Sequence, residues 1–374
     1  MKKICICEGM PYIDESFSNL LEIDKKGLRR AIRTIENADA IILVGEGRSY
    51  EALEIGFRGL EKKIITLDDI DFRWNNLYEA APYLERQFGR IVLIVNTSSG
   101  ETPTPKQRTK DLADYIDEKG SKKFRIIAFG SRPDSSVGKM VKNREYGLFV
   151  KLEGPKSKAK NPEEALNSGI MNDVYELASM ILFYRIKEKI NYGWKFEEML
   201  EEIKKDAQEI GQLVNQWINS EKYKILIKQM TSRGKIIVAG LGPSKDVALM
   251  IAIRLNHIKR AFGEEANITG AFTQKPRLGD ILIVISHSGE TKPVLEWAEK
   301  FKKAGAFVFA FCSRESSLTQ IVDWSFLVPK EAKDFYPTIA YLTSAIAVGL
   351  VEEFKNSGYS IPPDILSWWH SVTE

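Results

Sequence analysis

Thiols are scarce: three cysteines, Cys5, Cys7 and Cys312, occur in 374 residues. Their odd number, with no apolar leader before them, excludes a disulfide framework and points to a reducing, cytoplasmic setting. Cys5 and Cys7 alternate in I-C-I-C as residues on a strand would, and without further thiols nearby they hold no metal. Histidine is equally sparse, with only His257, His287 and His370. Long runs of one charge sign are missing too. Fifty-four Lys and Arg face fifty-one Asp and Glu, a net charge of +3 spread along the chain, so no nucleic-acid partner is expected. The longest apolar run, 337–351, is broken by Thr338, Tyr341, Thr343 and Ser344. It falls short of the roughly 20 residues a membrane helix needs, so no membrane partner is expected either.

What is present is ordinary globular material, 44% apolar and 28% charged, in a chain longer than one core usually organises. Two domains are expected, and internal repetition supports that count. Residues 40–49 read A-I-I-L-V-G-E-G-R-S and residues 235–244 read K-I-I-V-A-G-L-G-P-S. Residues 91–102, I-V-L-I-V-N-T-S-S-G-E-T, return as 280–291, D-I-L-I-V-I-S-H-S-G-E-T. A third pair, I-I-A-F-G-S-R at 126–132 and F-V-F-A-F-C-S-R at 307–314, keeps the order. In each copy, Val/Ile/Leu runs apolar on both faces alternate with helical segments. That pattern predicts α/β architecture: two doubly wound, three-layer α-β-α domains with mainly parallel sheets. Helices are expected over 25–36, 172–190 and 196–218, a loop over 153–162, and a boundary that divides the chain into 1–195 and 196–374.

Each apolar run ends in a turn rich in small hydroxyl residues. In a parallel sheet, ligands bind beyond the carboxyl ends of the strands, where these turns fall. Thr97, Ser98, Ser99 and Thr102 lead into one helix, and Ser286, Ser288 and Thr291 into its repeat. Gly47 and Ser49, with Gly242 and Ser244, form the neighbouring turns. A helix N-terminus offers unpaired N–H groups and partial positive charge, so such a corner suits a phosphate dianion. Gly289 is expected to let the backbone approach that ligand. Neither copy completes G-x-G-x-x-G, since Tyr50 and Lys245 stand at the third glycine position, so a dinucleotide is not expected. Glu46 and Arg48 lie inside the first turn, where they could reach a sugar hydroxyl or a second copy. Lys156, Lys158 and Lys160 read as a solvated loop.

These motifs, G-E-G-R-S at 45–49, T-S-S-G-E-T at 97–102, G-L-G-P-S at 240–244 and S-H-S-G-E-T at 286–291, make the chain resemble tandem sugar isomerase (SIS) domain proteins over roughly residues 25–355. The tandem form is similar to the isomerase half of glucosamine-6-phosphate synthase, archaeal glucosamine-6-phosphate deaminases and bifunctional phosphoglucose/phosphomannose isomerases. The resemblance implies a phosphosugar ligand, a homodimer and no cofactor. The segment G-E-E-A at 263–266 resembles the one carrying the catalytic glutamate of the bifunctional isomerases, which makes Glu264 the candidate base. His257 stands where the synthase pattern has its helix-borne catalytic glutamate, and the region of the usual ring-opening histidine reads Q-K-P-R-L-G-D at 274–280. His257, His287 and, more distantly, His370 are the substitutes. No glutaminase segment with a terminal cysteine precedes the first strand, so a full amidotransferase is not expected. Two readings stay open: an isomerase or isomerising deaminase acting on a hexose or hexosamine 6-phosphate, and a non-catalytic phosphosugar sensor.

Overall fold

A computed structural model describes Cys7 and residues 9–156, 162–232, 234–270 and 273–360. Cys5, Lys158, Lys160 and His370 lie outside the described residues. Two compact units emerge. Ser16–Gly154 with Tyr175–Lys204 form the first, and Met1–Glu15, Pro155–Val174 and Lys205–Glu374 the second. The chain thus passes between the units more than once, where the sequence predicts a single boundary after residue 195.

The first unit is built on β1 (Ala40–Val44), β2 (Lys63–Ile65), β3 (Ile91–Asn96), β4 (Phe124–Gly130) and β5 (Gly147–Lys151). All pair in parallel, in the order β2-β1-β3-β4-β5. Every residue of β1 and β3 is buried, as continuous aliphatic runs require when helices cover both faces. On one face, Leu77, Ala80, Ala81 and Leu84 of the helix Leu77–Gln87 join Ala40, Ile42 and Leu93 in the core. The helix Lys25–Glu36 falls where the sequence places it, capped by Asp24. A further helix, Pro11–Leu21, precedes it.

In the second unit, β6 (Ile236–Ala239), β7 (Ala266–Ile268), β8 (Ile281–Ile285), β9 (Phe307–Cys312) and β10 (Trp324–Leu327) are again all parallel. Their order, β7-β6-β8-β9-β10, retraces the first sheet strand for strand. Trp217 is fully buried against Phe309, Phe311, Phe326 and Tyr223, with ring centroids 4.8–5.6 Å apart, and its Nε1–H donates to the Leu342 carbonyl at 3.1 Å. The helix Ala332–Asn356 contains the long apolar run. By length and composition its segment Lys333–Asn356 is apolar enough to cross a membrane, which corrects the expectation that this run falls short; 89% of the most apolar window is buried inside the protein.

The copies differ at one crossing. From β2 to β3 the chain forms the helices Leu67–Asp71 and Leu77–Gln87. From β7 to β8, residues 269–280 contain no helix among those described.

Candidate active site

In both sheets the first and third strands in chain order lie side by side, with Val44 beside Val95 and Ala239 beside Val284. The chain leaves them in opposite directions, toward β2 or toward β4 in the first sheet, so the turns beyond their carboxyl ends flank a topological switch point. That crevice is where open α/β sheets place their ligands.

The glycines of G-x-G divide their labour. A Cβ on Gly45 would come within 2.8 Å of the Tyr50 backbone, and one on Gly240 within 2.4 Å of the Ser244 carbonyl oxygen. These glycines let the strand end approach the helix that follows. Gly47 (φ 53°) and Gly242 (φ 57°) take the left-handed backbone that side chains disfavour.

The hydroxyl-rich turns share most of their bonds, although the Thr102 hydroxyl also meets those of Thr97 and Ser99 in the first. Thr97 Oγ1 accepts from the Gly100 N–H at 3.2 Å, and Ser286 Oγ from the Gly289 N–H at 3.2 Å. Ser99 Oγ accepts from the Glu101 N–H, and Ser288 Oγ from the Glu290 N–H, again both at 3.2 Å. The Ser98 and His287 carbonyls accept from the N–H and hydroxyl of Ser131 and Ser313. Behind each turn a glutamate binds the next helix: Glu101 accepts from the N–H and hydroxyl of Ser136 at 2.7 and 2.6 Å, and Glu290 from those of Ser317 at 2.8 and 2.7 Å. The Ser136 hydroxyl and N–H hold the Glu101 carboxyl below its usual range, and the Ser317 N–H and hydroxyl do the same for Glu290.

The glycine of each turn serves packing, a role the sequence reading of Gly289 does not include. A Cβ there would stand 2.0 Å from Ser316 Oγ, and one on Gly100 2.0 Å from Ser135 Oγ, so both glycines make room for the neighbouring loop.

The four helices that open on the crevices, beginning at Arg48, Pro103, Pro243 and Lys292, have Gly47, Thr102, Gly242 and Thr291 as N-caps, none making a side-chain cap hydrogen bond. Several helices elsewhere are capped by side chains, for example Asp24, Asn76, Ser135 and Ser220, although Ala332–Asn356 is not. Several first-turn N–H groups there already donate to carbonyls of their own turns, Ser49 and Tyr50 to Glu46 and Gly47, Ser244 and Lys245 to Leu241 and Gly242, and Val294 to Thr291; the others, with the positive end of each helix, are the natural donors to an anion.

One such donor is already in use. The Thr104 N–H donates to Glu46 Oε2 at 3.2 Å, so a carboxylate of the first unit sits at its own helix N-terminus. Arg48, expected at a ligand, is instead fully buried and ion-paired with Glu176 at 2.6 Å. Asn96, which the sequence reading passes over, links the two turns of the first crevice: its amide donates to the Ser49 carbonyl at 2.8 Å and its oxygen accepts from Tyr175 at 2.7 Å. The signal was a lone buried amide ending an aliphatic strand.

Glu264 and His257 are not brought to the turns of their own unit. The helix Pro243–Arg260 starts at the crevice and runs back along the sheet, which puts His257 about 21 Å down its axis at 1.5 Å per residue. There the Arg254 guanidinium lies 3.4 Å from His257 Nδ1 and binds Asp173 at 2.7 Å, all three side chains buried. Glu264 follows the helix, just before β7, and is ion-paired with Lys259. The Lys259 ammonium also donates to the carbonyls of Met230 and Ser232, which precede β6, so this cluster marks the amino-terminal edge of the sheet, opposite the crevice. Burial pushes the Lys259 ammonium below its usual range. His287 does lie in the second crevice's turn, its Nε2–H donating to the Lys330 carbonyl at 3.0 Å. Among the described residues, no cluster of three or more His, Cys, Asp or Glu could hold a metal.

Comparison with known proteins agrees with this geometry. The SIS domain family model matches residues 229–351. A curated relative, the 3-hexulose-6-phosphate isomerase of Mycobacterium gastri, is 36% identical over 119 residues, which are 31% of this chain and 57% of the relative; the match thus spans little more than half of that protein. Among solved structures, tagatose-6-phosphate ketose/aldose isomerase from Escherichia coli superposes with a TM-score of 0.64 at 12% identity, over 95% of this chain and 94% of the other. The C-terminal domain of glucosamine-fructose-6-phosphate aminotransferase from Francisella tularensis gives 0.60 at 13%, over 91% and 94%. At these identities the likeness establishes the fold, and it extends across both sheets. Residues 229–351 of the chain thus match the SIS domain family, and the likeness of fold to the solved structures extends over both units.

Proposed function

We propose that this protein binds a hexose or hexosamine 6-phosphate at its switch-point crevices and interconverts aldose and ketose forms, by simple isomerisation or with loss of an amino group. The observation that carries the reading is the duplicated corner, in which hydroxyls of Thr97, Ser99, Ser286 and Ser288 surround helix N-termini that no side chain caps. Ser98, Thr102 and Thr291 complete the two hydroxyl turns, while Gly47, Ser49, Gly242 and Ser244 form the opposite walls. A phosphate there would collect several charge-assisted hydrogen bonds, each contributing about 1.5 to 3 kcal/mol. The relative named as a 3-hexulose-6-phosphate isomerase supports the same class of ligand and reaction.

Isomerisation moves a proton between C1 and C2 and needs a carboxylate base beside those carbons, with a second group to open the ring. Glu264 and His257 remain the proposed pair, in a homodimer. A second reading, a phosphosugar sensor without catalysis, is favoured by one observation: Glu264 is ion-paired with Lys259 and His257 lies against Arg254, both away from the turns of their own unit.

Proton exchange at C1 of fructose 6-phosphate and at C2 of glucosamine 6-phosphate and mannose 6-phosphate, followed by NMR in deuterated buffer, separates the readings. Exchange with at least one sugar is expected. Tight binding without exchange would establish the sensor, and no binding of any of the three would end the phosphosugar reading.

A further inference from the structure

Among the described residues no helix stands between β7 and β8, and a space is left there. In the first unit, Leu77–Gln87 buries its apolar side in one core cluster with Ala40 and Ile42. The repeat aligns Ala40 with Lys235 and Ile42 with Ile237. Where the first unit has that helix, the second has a cavity of about 390 Å³ whose lining includes Lys235, Ile237, Lys245, Ile268, Thr273 and Lys275.

Its charges are unbalanced in a specific way. Lys235 Nζ donates to the neutral Gln274 side chain. Among the described residues, none of the three lysines is ion-paired. Two carboxylates also line the cavity, and both are engaged. Asp280 accepts from the N–H groups of Lys235 and Arg277 at 3.1 and 2.8 Å, and Glu265 from the Asn267 amide at 3.4 Å. Three ammonium groups against two carboxylates leave an excess of positive charge around one concavity, and it draws anions. Ile237 and Ile268 supply an apolar wall, and the volume lies in the range of small-molecule sites.

We propose that this cavity is a second ligand site, for a small phosphorylated metabolite whose anionic groups meet Lys235, Lys245 and Lys275. It is separate from the crevice, because none of Ser286, Ser288 and Thr291 lines it. A molecule bound there would brace the 269–280 crossing against the sheet, as the helix does in the first unit.

The probe is inorganic pyrophosphate added to the 374-residue chain, read by lysine acetylation and mass spectrometry and by calorimetry. Pyrophosphate is expected to slow acetylation of Lys275 about tenfold, in the unaltered protein and in Ser288→Ala alike, and Lys245→Ala/Lys275→Ala is expected to bind one pyrophosphate fewer. Both lysines are exposed, so the double variant keeps its fold, checked by its melting temperature. An unprotected Lys275, protection lost in Ser288→Ala, or unchanged stoichiometry in the double variant would each overturn the site. Failure of the phosphosugar reading looks different: fructose 6-phosphate would bind neither protein while Lys275 protection by pyrophosphate persists.

Discussion

The two crevices share a scaffold and differ in what fills them. In the first, Glu46 reaches across to the Thr104 N–H. In the second, both partners are replaced: Leu241, partly exposed, stands at the glutamate position, and Pro293, which has no N–H to donate, stands at the threonine position. One niche holds a carboxylate of its own chain and the other does not. A doubled fold can therefore keep its geometry while the copies differ, and on the proposed function the second crevice is the one expected to take an external anion. The crossings diverge in the same sense, a packed helix in one unit and a lysine-lined hollow in the other.

The largest expected effect tests the crossings. Leu77→Ala removes a buried side chain from the helix over the first sheet and is expected to lower stability by about 2 to 5 kcal/mol in urea unfolding. Leu278→Ala, in the helix-free crossing, alters a side chain that is 86% exposed and should change it by less than about 0.5 kcal/mol. Equal losses would break the comparison. Next come the turn glycines. Gly100→Ala and Gly289→Ala each force a Cβ to within 2.0 Å of a serine hydroxyl at positive φ, and each should cost about 1 to 3 kcal/mol in thermal unfolding. A clear inequality between them would show that the turns are not equivalent.

The crevices themselves separate in binding. Ser288→Ala is expected to weaken phosphosugar affinity by about 1 to 3 kcal/mol with little change in stability, and Ser99→Ala by less, because Glu46 already occupies a donor beside it. Exchanging the features sharpens this. Leu241→Glu should reduce affinity about tenfold and Glu46→Gln should raise it at the first crevice, both measured by calorimetry. The smallest effect concerns Cys312. Burial pushes its thiol up to about 12, so at pH 8 it stays protonated and should not react with a thiol reagent until the second unit unfolds. Rapid labelling of the folded protein would show that the second sheet opens locally.

Much of the fold was legible in the sequence because burial on both faces leaves a plain trace. The runs at 40–44, 91–96, 236–239 and 281–285 could be little else than central parallel strands. The short strands Lys63–Ile65 and Ala266–Ile268 carry too few residues for a pattern, and sheet order depends on pairings between distant segments. The site was legible only in part, for the same reason. Hydroxyl turns announce themselves locally, but the Arg48–Glu176 pair joins residues 128 apart, and the Glu46–Thr104 contact joins residues 58 apart. Glu264 shows the opposite failure. Its local motif resembles a catalytic segment, while the direction of the helix before it decides that it lies at the far edge of its own sheet.

Glu101 and Glu290 brace their turns from behind, through bonds that involve no ligand. On the proposed function, recognition on the front face and rigidity at the back would be carried by different side chains. After a duplication, such a corner can accumulate changes in its hydroxyls, or admit a carboxylate as the first one has, without collapsing, which leaves one copy free to drift while its twin retains the ancestral task.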